Sequence, residues 1–599
     1  MINSIPAQLF ANAQRQPNAP AYRHFDGKTW ASTDWSTYGQ EVRRTARALI
    51  ALGVKEGDTI CILGNNRPEW VIADVAAMAV GGVPAGIYAT CSAEEVAFVV
   101  SHAEAGVIVV ENLAQLQKVE SRVAHTPNLR HVIVMRGAGP VSRVIDAPTP
   151  VRVLDWDTFL TKEETVSDSE VERRLNGLNE DDTATLIYTS GTTGNPKGVM
   201  LTHRNLTHTA KVAAQICSVP PDTRMVSYLP LSHIAEQMFS IHAAITIGYE
   251  IWYARSMETL LEDMQAARPT ILFGVPRVWE KMHAKLSARL AEASGVKGAI
   301  ARWATDVGRR VNAERNAGRS PGAWLGVQYK LADRLLYSKV KGLLGLDKTR
   351  FGISGAAPIS AAVLEFFSGL DIVIHEVYGQ SEDCGPTSFN VPGRTRYGTV
   401  GPAIPGCDLR IADDGEVLVR GPNVFKGYFK DPAATAETLV DGWLHSGDLG
   451  KIDADGFLSI VGRKKDILIT SGGKNITPVN IEAKLKDLPL VSQAVVIGDN
   501  RNYITALVTL DAEAAAAFAT ARGLPTDSLH TLAEIRAELQ RGVDEQVNPS
   551  FARVEHVRKF AILASDFSAE TDELTPTQKI KRRVVNAKYK DIIEGLYAD

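Results

Sequence analysis

The sequence predicts an α/β protein in which helices cover a sheet of parallel strands. Residues 40–55 repeat apolar side chains at the spacing of an amphipathic helix, and the apolar run 58–64 follows as a buried strand. The same helix-then-strand order recurs in residues 70–82, 106–111 and 132–135. Alternation of this kind is typical of parallel strands joined by helices.

Length and composition limit the class of protein. A chain of 599 residues predicts several domains, or one large domain with a small one. Hydrophobic residues make up 45% and charged residues 22%, which is ordinary for a soluble globular enzyme. Because 65 Lys and Arg oppose 69 Asp and Glu, the net charge is −4 and no general affinity for nucleic acid is expected.

Cysteine spacing and the N-terminus favour the cytoplasm. No two cysteines form a C-x-x-C pair, which argues against a zinc site or a disulfide framework. The N-terminus has no basic segment followed by an apolar core, so no secretory signal is predicted. Residues 68–102 lack Lys and Arg but contain Asp74, Pro84 and Glu94, so they are interpreted as a buried helix and a loop.

The sequence YTSGTTGNPKGV (188–199) follows an apolar strand-like run and predicts a cradle for a polyphosphate. Glycines let the backbone approach a ligand closely, and such turns point several N–H groups at one anion. Lys197 adds a cation, but it lies between Pro196 and Gly198, which is not the P-loop pattern. By composition alone, an exposed Ser/Thr/Gly loop remains an alternative.

The complete string resembles the phosphate-binding signature of the AMP-forming acyl and aryl ligases, the adenylate-forming superfamily. The resemblance implies that this loop binds the phosphates of ATP and AMP, and that Thr189 also contacts a metal ion. The residues that it assigns to the nucleotide here are Thr189, Ser190, Gly191, Thr192, Thr193, Gly194 and Lys197.

Two downstream segments resemble the substrate-binding parts of the superfamily. In LPLSHIAEQ (229–237), His233 matches the position that lines the carboxylate site, although a lone histidine is most often a core residue. The segment ILFGVPRVWEKM (271–282) resembles the wall of the acyl pocket in long-chain members. It implies acyl-pocket roles for Gly274 and for Trp279 as an aromatic gate; plain core packing of Trp279 remains open.

Residues 350–360 and 372–385 resemble the segments that surround the adenine and the α-phosphate. The resemblance assigns nucleotide contacts to Gly355, Ala356, Tyr378 and Gly379. Glu382 follows in the same turn. A carboxylate beside phosphates is a suitable ligand for Mg²⁺, which prefers hard oxygen atoms, so Glu382 is expected to be both catalytic and metal-binding.

Residues 441–478 resemble the fatty-acyl-CoA synthetase signature followed by the superfamily hinge. The resemblance places Asp448 at the ribose hydroxyls, Arg463 near ribose and phosphate, and Lys465 at the hinge. Residues 471–475 form a glycine turn that the family brings to the active site in a second conformation. This implies CoA binding by Gly472, Gly473 and Lys474.

Residues after the hinge predict a small domain. The runs 491–499 and 503–510 are expected to pair as strands, and residues 511–548 are expected to be helical. Lys579, in the ending LTPTQKIKRR, occupies the position of the superfamily's catalytic lysine. Without that resemblance it would be interpreted as one member of a solvated basic cluster.

The resemblance covers nearly the whole chain and identifies it as a member of the AMP-forming long-chain fatty-acid–CoA ligases. The implied fold is a large N-terminal domain (1–464) of layered sheets and helices with a small β-barrel-like subdomain. A small mobile α+β domain (465–599) follows. The chain departs from the family pattern at Asn195 and in Pro478-Val-Asn-Ile-Glu482, which keeps only the second of two usual acids.

The implied reaction uses ATP, CoA and Mg²⁺. A fatty acid is converted to acyl-AMP with release of pyrophosphate, and the acyl group is then transferred to CoA with release of AMP. Alternatives are a fatty-acyl-AMP ligase that loads a carrier protein, a medium-chain or bile-acid-type ligase, and a membrane-bound fatty-acid-binding protein without activity.

Residues 281–350 differ from the rest of the chain in charge. They contain fifteen Lys and Arg against five Asp and Glu, an excess of ten positive charges, interleaved with apolar residues. Surface helices with a turn at 318–322 are predicted. Peripheral contact with an anionic membrane is one interpretation, through residues such as Arg309, Arg310, Arg315 and Arg319. A solvated helical face is the other.

Overall fold

The structure, a computed structural model, describes residues 3–189, 195–220, 222–568, 571–575 and 579–598. Ser190, Gly191, Thr192, Thr193 and Gly194 of the predicted phosphate loop lie outside the described residues. The described chain mixes helices and strands along its length, as predicted. Its α-helices are α1 (Ile5–Arg15), α2 (Trp35–Ala51), α3 (Pro68–Ala79), α4 (Ala93–His102), α5 (Leu113–Ser121), α6 (Trp156–Leu160), α7 (Asp168–Gly177), α8 (His203–Cys217), α9 (Ile234–Gln237), α10 (Ala243–Ile247), α11 (Leu260–Ala267), α12 (Pro276–Ala291), α13 (Gly295–Asn316), α14 (Ala323–Ala332), α15 (Ser338–Leu344), α16 (Ala361–Gly369), α17 (Pro432–Thr438), α18 (Pro478–Lys486), α19 (Ala512–Thr520), α20 (Ala533–Gly542), α21 (Arg582–Lys588) and α22 (Lys590–Tyr597).

The largest sheet contains the predicted parallel strands. In pairing order, its described strands are β19 (Gly427–Tyr428), β10 (Lys197–Thr202), β9 (Thr183–Thr189), β4 (Val83–Ile87), β3 (Thr59–Leu63), β5 (Val107–Val110), β6 (His131–Val134), β8 (Val151–Asp155) and β7 (Arg143–Ile145). The strands from β9 to β8 are parallel. Helices cover both faces, so β3, β4 and β5 are buried throughout. Strand β9 ends at Thr189, and the phosphate loop therefore leaves from its carboxyl end.

A second sheet positions the other half of the site. Its described strands are β13 (Ile271–Gly274), β14 (Phe351–Ser354), β15 (Ile374–Tyr378) and β16 (Ser388–Phe389). Because β13, β14 and β15 are parallel, their carboxyl ends lie at one edge, where ligands bind in open α/β sheets. A third sheet pairs β11 (Arg224–Ser227), β12 (Glu250–Tyr253), β1 (Pro20–Phe25) and β2 (Trp30–Asp34).

The expected barrel-like subdomain is an antiparallel sheet. Its described strands are β17 (Asp408–Ile411), β18 (Glu416–Arg420), β21 (Trp443–Ile452), β20 (Leu439–Val440) and β22 (Leu458–Arg463). Both β20 and β22 pair with β21, and the described pairings leave the sheet open rather than closing it. A hairpin turn at 413–415 joins β17 to β18.

The C-terminal segment is α+β, as expected. It begins with the short hairpin β23 (Leu468–Ile469) and β24 (Asn475–Ile476). A sheet follows, of β25 (Val491–Ile497), β26 (Ile504–Leu510) and β27 (Val557–Ile562). The predicted pairing of 491–499 with 503–510 is confirmed. Residues 511–548 are only partly helical, because Gly523 and Pro525 interrupt the helical run between α19 and α20.

The basic stretch 281–350 forms the rest of α12 and the helices α13, α14 and α15. The turn predicted at 318–322 lies in the segment 317–322 that joins α13 to α14. No helix within the described ranges is long and apolar enough to cross a bilayer. Trp279, on α12, is fully buried in the core beside the second sheet. Its indole N–H donates to the carbonyl oxygens of Gly274 (3.1 Å) and Ile353 (3.2 Å).

We predict that Trp279→Ala lowers the free energy of unfolding by about 3–5 kcal/mol, because it removes a fully buried aromatic side chain. The matched control is Trp324→Ala. Trp324 is 72% exposed, so the expected change is within about 0.5 kcal/mol. Chemical denaturation measures both. Equal effects of the two substitutions would contradict the assignment of Trp279 to the core.

Candidate active site

A cavity of about 760 Å³ lies between the second sheet, the antiparallel sheet and the C-terminal segment. Its volume is typical of a small-molecule site. Residues far apart in the sequence meet in its wall. The predicted site residues that line it are Thr189, Lys197, His233, Ala356, Gly379, Glu382, Arg463, Lys465 and Lys579.

Tyr428 connects the phosphate loop to Glu382 at the polar end of the cavity. Thr189 and Lys197 pair across β9 and β10, at the two ends of the loop. The Lys197 ammonium lies 4.8 Å from the centre of the Tyr428 ring, and the Tyr428 hydroxyl donates to Glu382 Oε1 (2.8 Å). The sequence reasoning missed Tyr428. The sequence signal for Tyr428 is an aromatic residue directly after a glycine, Gly427, and this pattern is too common to identify a site.

The turn that presents Glu382 is held by a buried carboxylate. Asp383 accepts hydrogen bonds from the backbone N–H of Gln380 (2.7 Å) and the hydroxyl of Thr387 (2.6 Å). A side chain at Gly379 would overlap the carbonyl oxygen of Gly385, so only glycine fits there. These contacts fix the conformation of the turn, and Glu382 lines the cavity.

An ion pair joins the buried Asp448 to Arg463, whose side chain is 47% exposed. Asp448 is 5% exposed, and its carboxylate accepts from the Tyr378 hydroxyl (2.7 Å) and from Arg463 Nε (2.9 Å). Arg463 borders the cavity, whereas Asp448 and Tyr378 are not part of its wall. Burial, with the Asp448 charge adding to it, raises the pKa of Tyr378. Each carboxylate oxygen keeps a second lone pair for a ligand.

Lys579 extends from the C-terminal segment into the same cavity. Its side chain is exposed to the space inside the cavity, and protein groups surround that space. Desolvation lowers the pKa of Lys579, and repulsion from Arg463 lowers it further. The carboxylates of Asp448 and Glu382 oppose these two effects. An anionic ligand in the cavity would stabilise the ammonium form.

His233 begins helix α9 and faces the cavity as a neutral imidazole. Its Nδ1 accepts from the backbone N–H of Ala235 (3.2 Å). Burial, with Lys579 adding to it, lowers the pKa of His233 to about 3. Because Nδ1 is an acceptor, the ring proton belongs on Nε2, which can donate to a ligand.

A second part of the cavity wall is apolar. Its lining includes Ala213, Ile216, Met238, Phe239 and Phe273. Gly274 and Trp279 were predicted to line the acyl pocket, but they lie behind this wall and pack against each other. A Cβ on Gly274 would be 2.6 Å from the indole nitrogen of Trp279. Gly355 also lies outside the wall, where a Cβ would be 2.5 Å from Val377.

The predicted hinge lies at the edge of the cavity. Lys464 is held by Asp414 (2.5 Å) and Glu416 (3.2 Å) of the antiparallel sheet. Lys465 follows it and is exposed. Gly472, Gly473 and Lys474 form the exposed tip between β23 and β24 and do not line the cavity. The structure therefore brings Lys579, and not the glycine turn, to the site.

Comparison with protein families matches the chain twice. Residues 9–429 match the family described as AMP-binding enzyme, and residues 465–599 match its C-terminal domain. The chain is 37% identical to a *Mycobacterium tuberculosis* protein named long-chain-fatty-acid–CoA ligase FadD15, over 99% of this chain and 97% of that one. It is 34% identical to human long-chain-fatty-acid–CoA ligase ACSBG2, over 99% and 92%.

Solved structures share the fold. The adenylation domain of a carboxylate reductase from *Mycobacterium chelonae* aligns with a TM-score of 0.75 at 20% identity, covering 100% of this chain and 91% of that one. O-succinylbenzoate coenzyme A synthetase from *Bacillus subtilis*, solved with ATP and a magnesium ion, aligns with a TM-score of 0.67 at 22% identity, covering 96% and 98%. At these identities the likeness shows the architecture alone.

Charges in the cavity give predictions of opposite sign for the pKa of Lys579. Arg463→Gln removes a repelling cation and should raise the pKa of Lys579. Glu382→Gln removes an attracting carboxylate and should lower that pKa further. In the wild-type protein the pKa should lie below the ordinary lysine value of about 10.4. Because only the neutral amine reacts with acylating reagents, the pH of half-maximal labelling, read by peptide mass spectrometry, follows the pKa. A shift in the same direction for both variants would contradict this electrostatic account.

Proposed function

Since the chain belongs to the AMP-binding enzyme family, we propose that it activates a long-chain fatty acid with ATP and then transfers the acyl group to CoA. Relatives at 34–37% identity over nearly the whole chain carry the corresponding name. The observation that carries the proposal is one cavity whose wall has a charged part and an apolar part. Lys197, Glu382 and Lys579 belong to the charged part, and aliphatic and aromatic side chains such as Ile216 and Phe239 form the apolar part.

In the first step, a carboxylate oxygen of the fatty acid attacks the α-phosphorus of ATP. The bond to the oxygen that bridges the α- and β-phosphates breaks, and pyrophosphate leaves with the electron pair. Negative charge accumulates on pyrophosphate, so Lys197 and Lys579 stabilise the transition state. Preorganised groups of this kind contribute about 3–4 kcal/mol each. No protein nucleophile is needed.

Thr189 and Glu382 are the proposed magnesium ligands. Both offer hard oxygen atoms at the polar end of the cavity, and Mg²⁺ commonly takes only one or two protein ligands together with substrate phosphates. Tyr428 holds one oxygen of Glu382 and leaves the other available. When bound, Mg²⁺ would neutralise part of the phosphate charge.

The proposed nucleotide site uses both sheets. The loop residues from Thr189 to Lys197, including Ser190 to Gly194, bind the phosphates. Gly355, Ala356, Tyr378 and Gly379 belong to the segments that surround the adenine and the α-phosphate, with Ala356 and Gly379 in the cavity wall and Gly355 and Tyr378 behind it. Arg463 in the wall and Asp448 behind it would bind the ribose. The free lone pairs of Asp448 support its role, because a ribose hydroxyl can donate to a carboxylate that already accepts two hydrogen bonds.

The proposed fatty-acid site begins at His233. Its Nε2–H is suited to donate to the substrate carboxylate, and it stays neutral because its pKa is low. The acyl chain then extends between Ile216, Met238 and Phe239. Gly274 and Trp279 support this wall from behind, through Phe273, which precedes Gly274 on β13.

The second step requires a different domain arrangement. The CoA thiol attacks the acyl carbon, and AMP leaves with the electron pair of the broken acyl–oxygen bond. We place the domain boundary between 464 and 465 and the hinge at Lys465. Rotation about it would withdraw Lys579 and bring Gly472, Gly473 and Lys474 to CoA. Matching of the C-terminal family domain from residue 465 supports this boundary.

We also propose that residues 281–350 contact an anionic membrane. Long-chain acids partition into bilayers, and this stretch carries an excess of ten positive charges. A fatty-acyl-AMP ligase or a medium-chain ligase would share the first step. AMP release that requires CoA, measured across saturated acids of increasing length, separates these activities from the proposed one.

We predict that Lys579→Ala blocks formation of acyl-AMP but spares thioester formation from supplied acyl-AMP. Lysine 579 stabilises the charge on leaving pyrophosphate, and that charge is absent from the second step. Lys465→Pro should give the reverse pattern, because proline fixes φ near about −65° and restricts rotation. Lys581→Ala is the matched control, since Lys581 also lines the cavity. Equal loss of both half-reactions in Lys579→Ala would contradict this division.

We predict that Glu382→Gln raises the Mg²⁺ concentration needed for half-maximal pyrophosphate release and lowers the rate at saturation. An amide oxygen is a weaker ligand than a carboxylate for this ion. Glu437→Gln, at another position in the same wall, serves as the control. An unchanged Mg²⁺ titration in Glu382→Gln would remove this residue from the metal site.

A further inference from the structure

The helices α14 and α15 form one continuous rod, residues 323–344, joined by a π-helical turn at 333–337. Its outer side presents large apolar residues to solvent. Trp324 is 72% exposed, Val327 57%, Leu331 51% and Leu343 51%. Trp324, Val327 and Leu331 follow the i, i+3, i+7 spacing that places side chains on one face of a helix. Among the tryptophans of the described chain, Trp324 is exposed, whereas the other eight are buried or half-buried.

Cations accompany these apolar side chains. Lys330, Arg334 and Lys339 are exposed on the same rod, and none has an ion-pair partner among the described residues. The rod contains a single acid, Asp333, which accepts from the Ser338 hydroxyl (2.9 Å). We define the outer face by Trp324, Val327, Lys330, Leu331, Arg334, Lys339 and Leu343.

We infer that the outer face of rod 323–344 docks on the surface of an anionic lipid bilayer. Interfacial helices of known type combine Trp and aliphatic residues with unpaired Lys and Arg. Long cationic side chains keep their charges at the headgroups while their stems cover apolar surface. The outer face contains no acid and three cations that lack an ion-pair partner among the described residues, so it is complementary to negative headgroups.

This location differs from the arginines that the sequence suggested. Arg310 pairs with Asp306 (3.3 Å), Arg315 with Asp371 (3.2 Å) and Arg319 with Glu314 (2.7 Å). Their charges are largely compensated, and Arg309 alone of the four has no described ion pair. Several other basic residues of 281–350, such as Lys281 and Lys285, also lack an ion-pair partner among the described residues, and three of this unpaired set, Lys330, Arg334 and Lys339, lie on the rod beside its exposed apolar side chains.

The rod is attached firmly to the protein by its inner side. The hydroxyl of Tyr329 donates to Asp371 (2.8 Å), and the buried Tyr337 donates to the carbonyl oxygen of Ala304. Lys341 pairs with the same Asp371 (2.5 Å). These anchors fix which side faces outward, so the apolar stripe is a permanent feature of the surface. The inference rests on the proposed function in one respect: docking would give the enzyme access to fatty acids dissolved in the bilayer.

The charge is tested by co-sedimentation with vesicles of phosphatidylcholine alone or mixed equally with phosphatidylglycerol. Wild-type protein should bind the mixed vesicles at about 0.1 M salt and lose most binding at about 1 M. Lys330→Gln/Arg334→Gln/Lys339→Gln should bind about 100-fold more weakly, since each cation contributes about fivefold. The control removes the same charge elsewhere, by Lys55→Gln/Arg130→Gln/Arg152→Gln, and should change binding little.

The apolar part is tested by quenching of tryptophan fluorescence with brominated phosphatidylglycerol vesicles. Quenching should occur in the wild type and disappear in Trp324→Phe. Trp324→Ser/Leu331→Ser should weaken binding, whereas Leu113→Ser/Val144→Ser, two comparably exposed sites, should not. Unchanged binding of the rod variants would overturn the inference. Self-association of the wild-type protein that is lost in Trp324→Ser/Leu331→Ser would also overturn it, because the partner of the outer face would then be a second copy of the chain. CoA-dependent AMP release from decanoate in buffer, measured for each variant, reports on the proposed function separately.

Discussion

The site depends on the contacts that the Asp448 carboxylate makes with Tyr378 and Arg463. This carboxylate joins Tyr378, at the end of β15, to Arg463, at the end of β22, and so ties the second sheet to the antiparallel sheet. The proposed hinge at Lys465 follows Arg463 by two residues. Because the Asp448 carboxylate is buried, removing it would leave the Tyr378 hydroxyl and the half-exposed Arg463 guanidinium without this partner, which would weaken the contact between the two sheets. The same contact therefore sets the cavity wall and the point from which the C-terminal segment departs.

Positive charge around the cavity has a consequence for ligand binding. Arg463, Lys197, Lys465 and Lys579 converge there, and the low pKa of Lys579 shows that the ammonium form is disfavoured by its surroundings. A polyphosphate opposes that effect, because it adds negative charge beside the ammonium group to that of Glu382 and Asp448. Nucleotide binding and the inward position of Lys579 are thus linked, and each should favour the other by the same free energy.

Local patterns predicted much of the fold, because burial on both faces of β3, β5 and β6 requires continuous apolar runs. The long phosphate-loop signature predicted where Thr189 and Lys197 would lie. Contacts between distant segments were less accessible. Tyr428 reaches Glu382 across 46 positions, and Arg315 pairs with Asp371 across 56, so neither partner can be inferred from local spacing. Trp279 shows the related difficulty that an aromatic residue near a site can belong to its wall or to the core behind it.

The contacts between the two parts of the chain are of a kind that permits movement. Arg277 donates to the Ser492 hydroxyl (2.7 Å), and Glu280 pairs with Lys486 (3.4 Å), both near the surface. Partly exposed pairs contribute only about 0–1 kcal/mol each. The C-terminal segment has its own apolar cores, so it can move as a unit without exposing them. Reversing a strongly biased two-state equilibrium takes about 5.5 kcal/mol of differential binding, which in the proposed scheme the loss of pyrophosphate and the binding of CoA would have to supply. A weak polar interface between two separately packed bodies is therefore what a two-step reaction in one cavity requires.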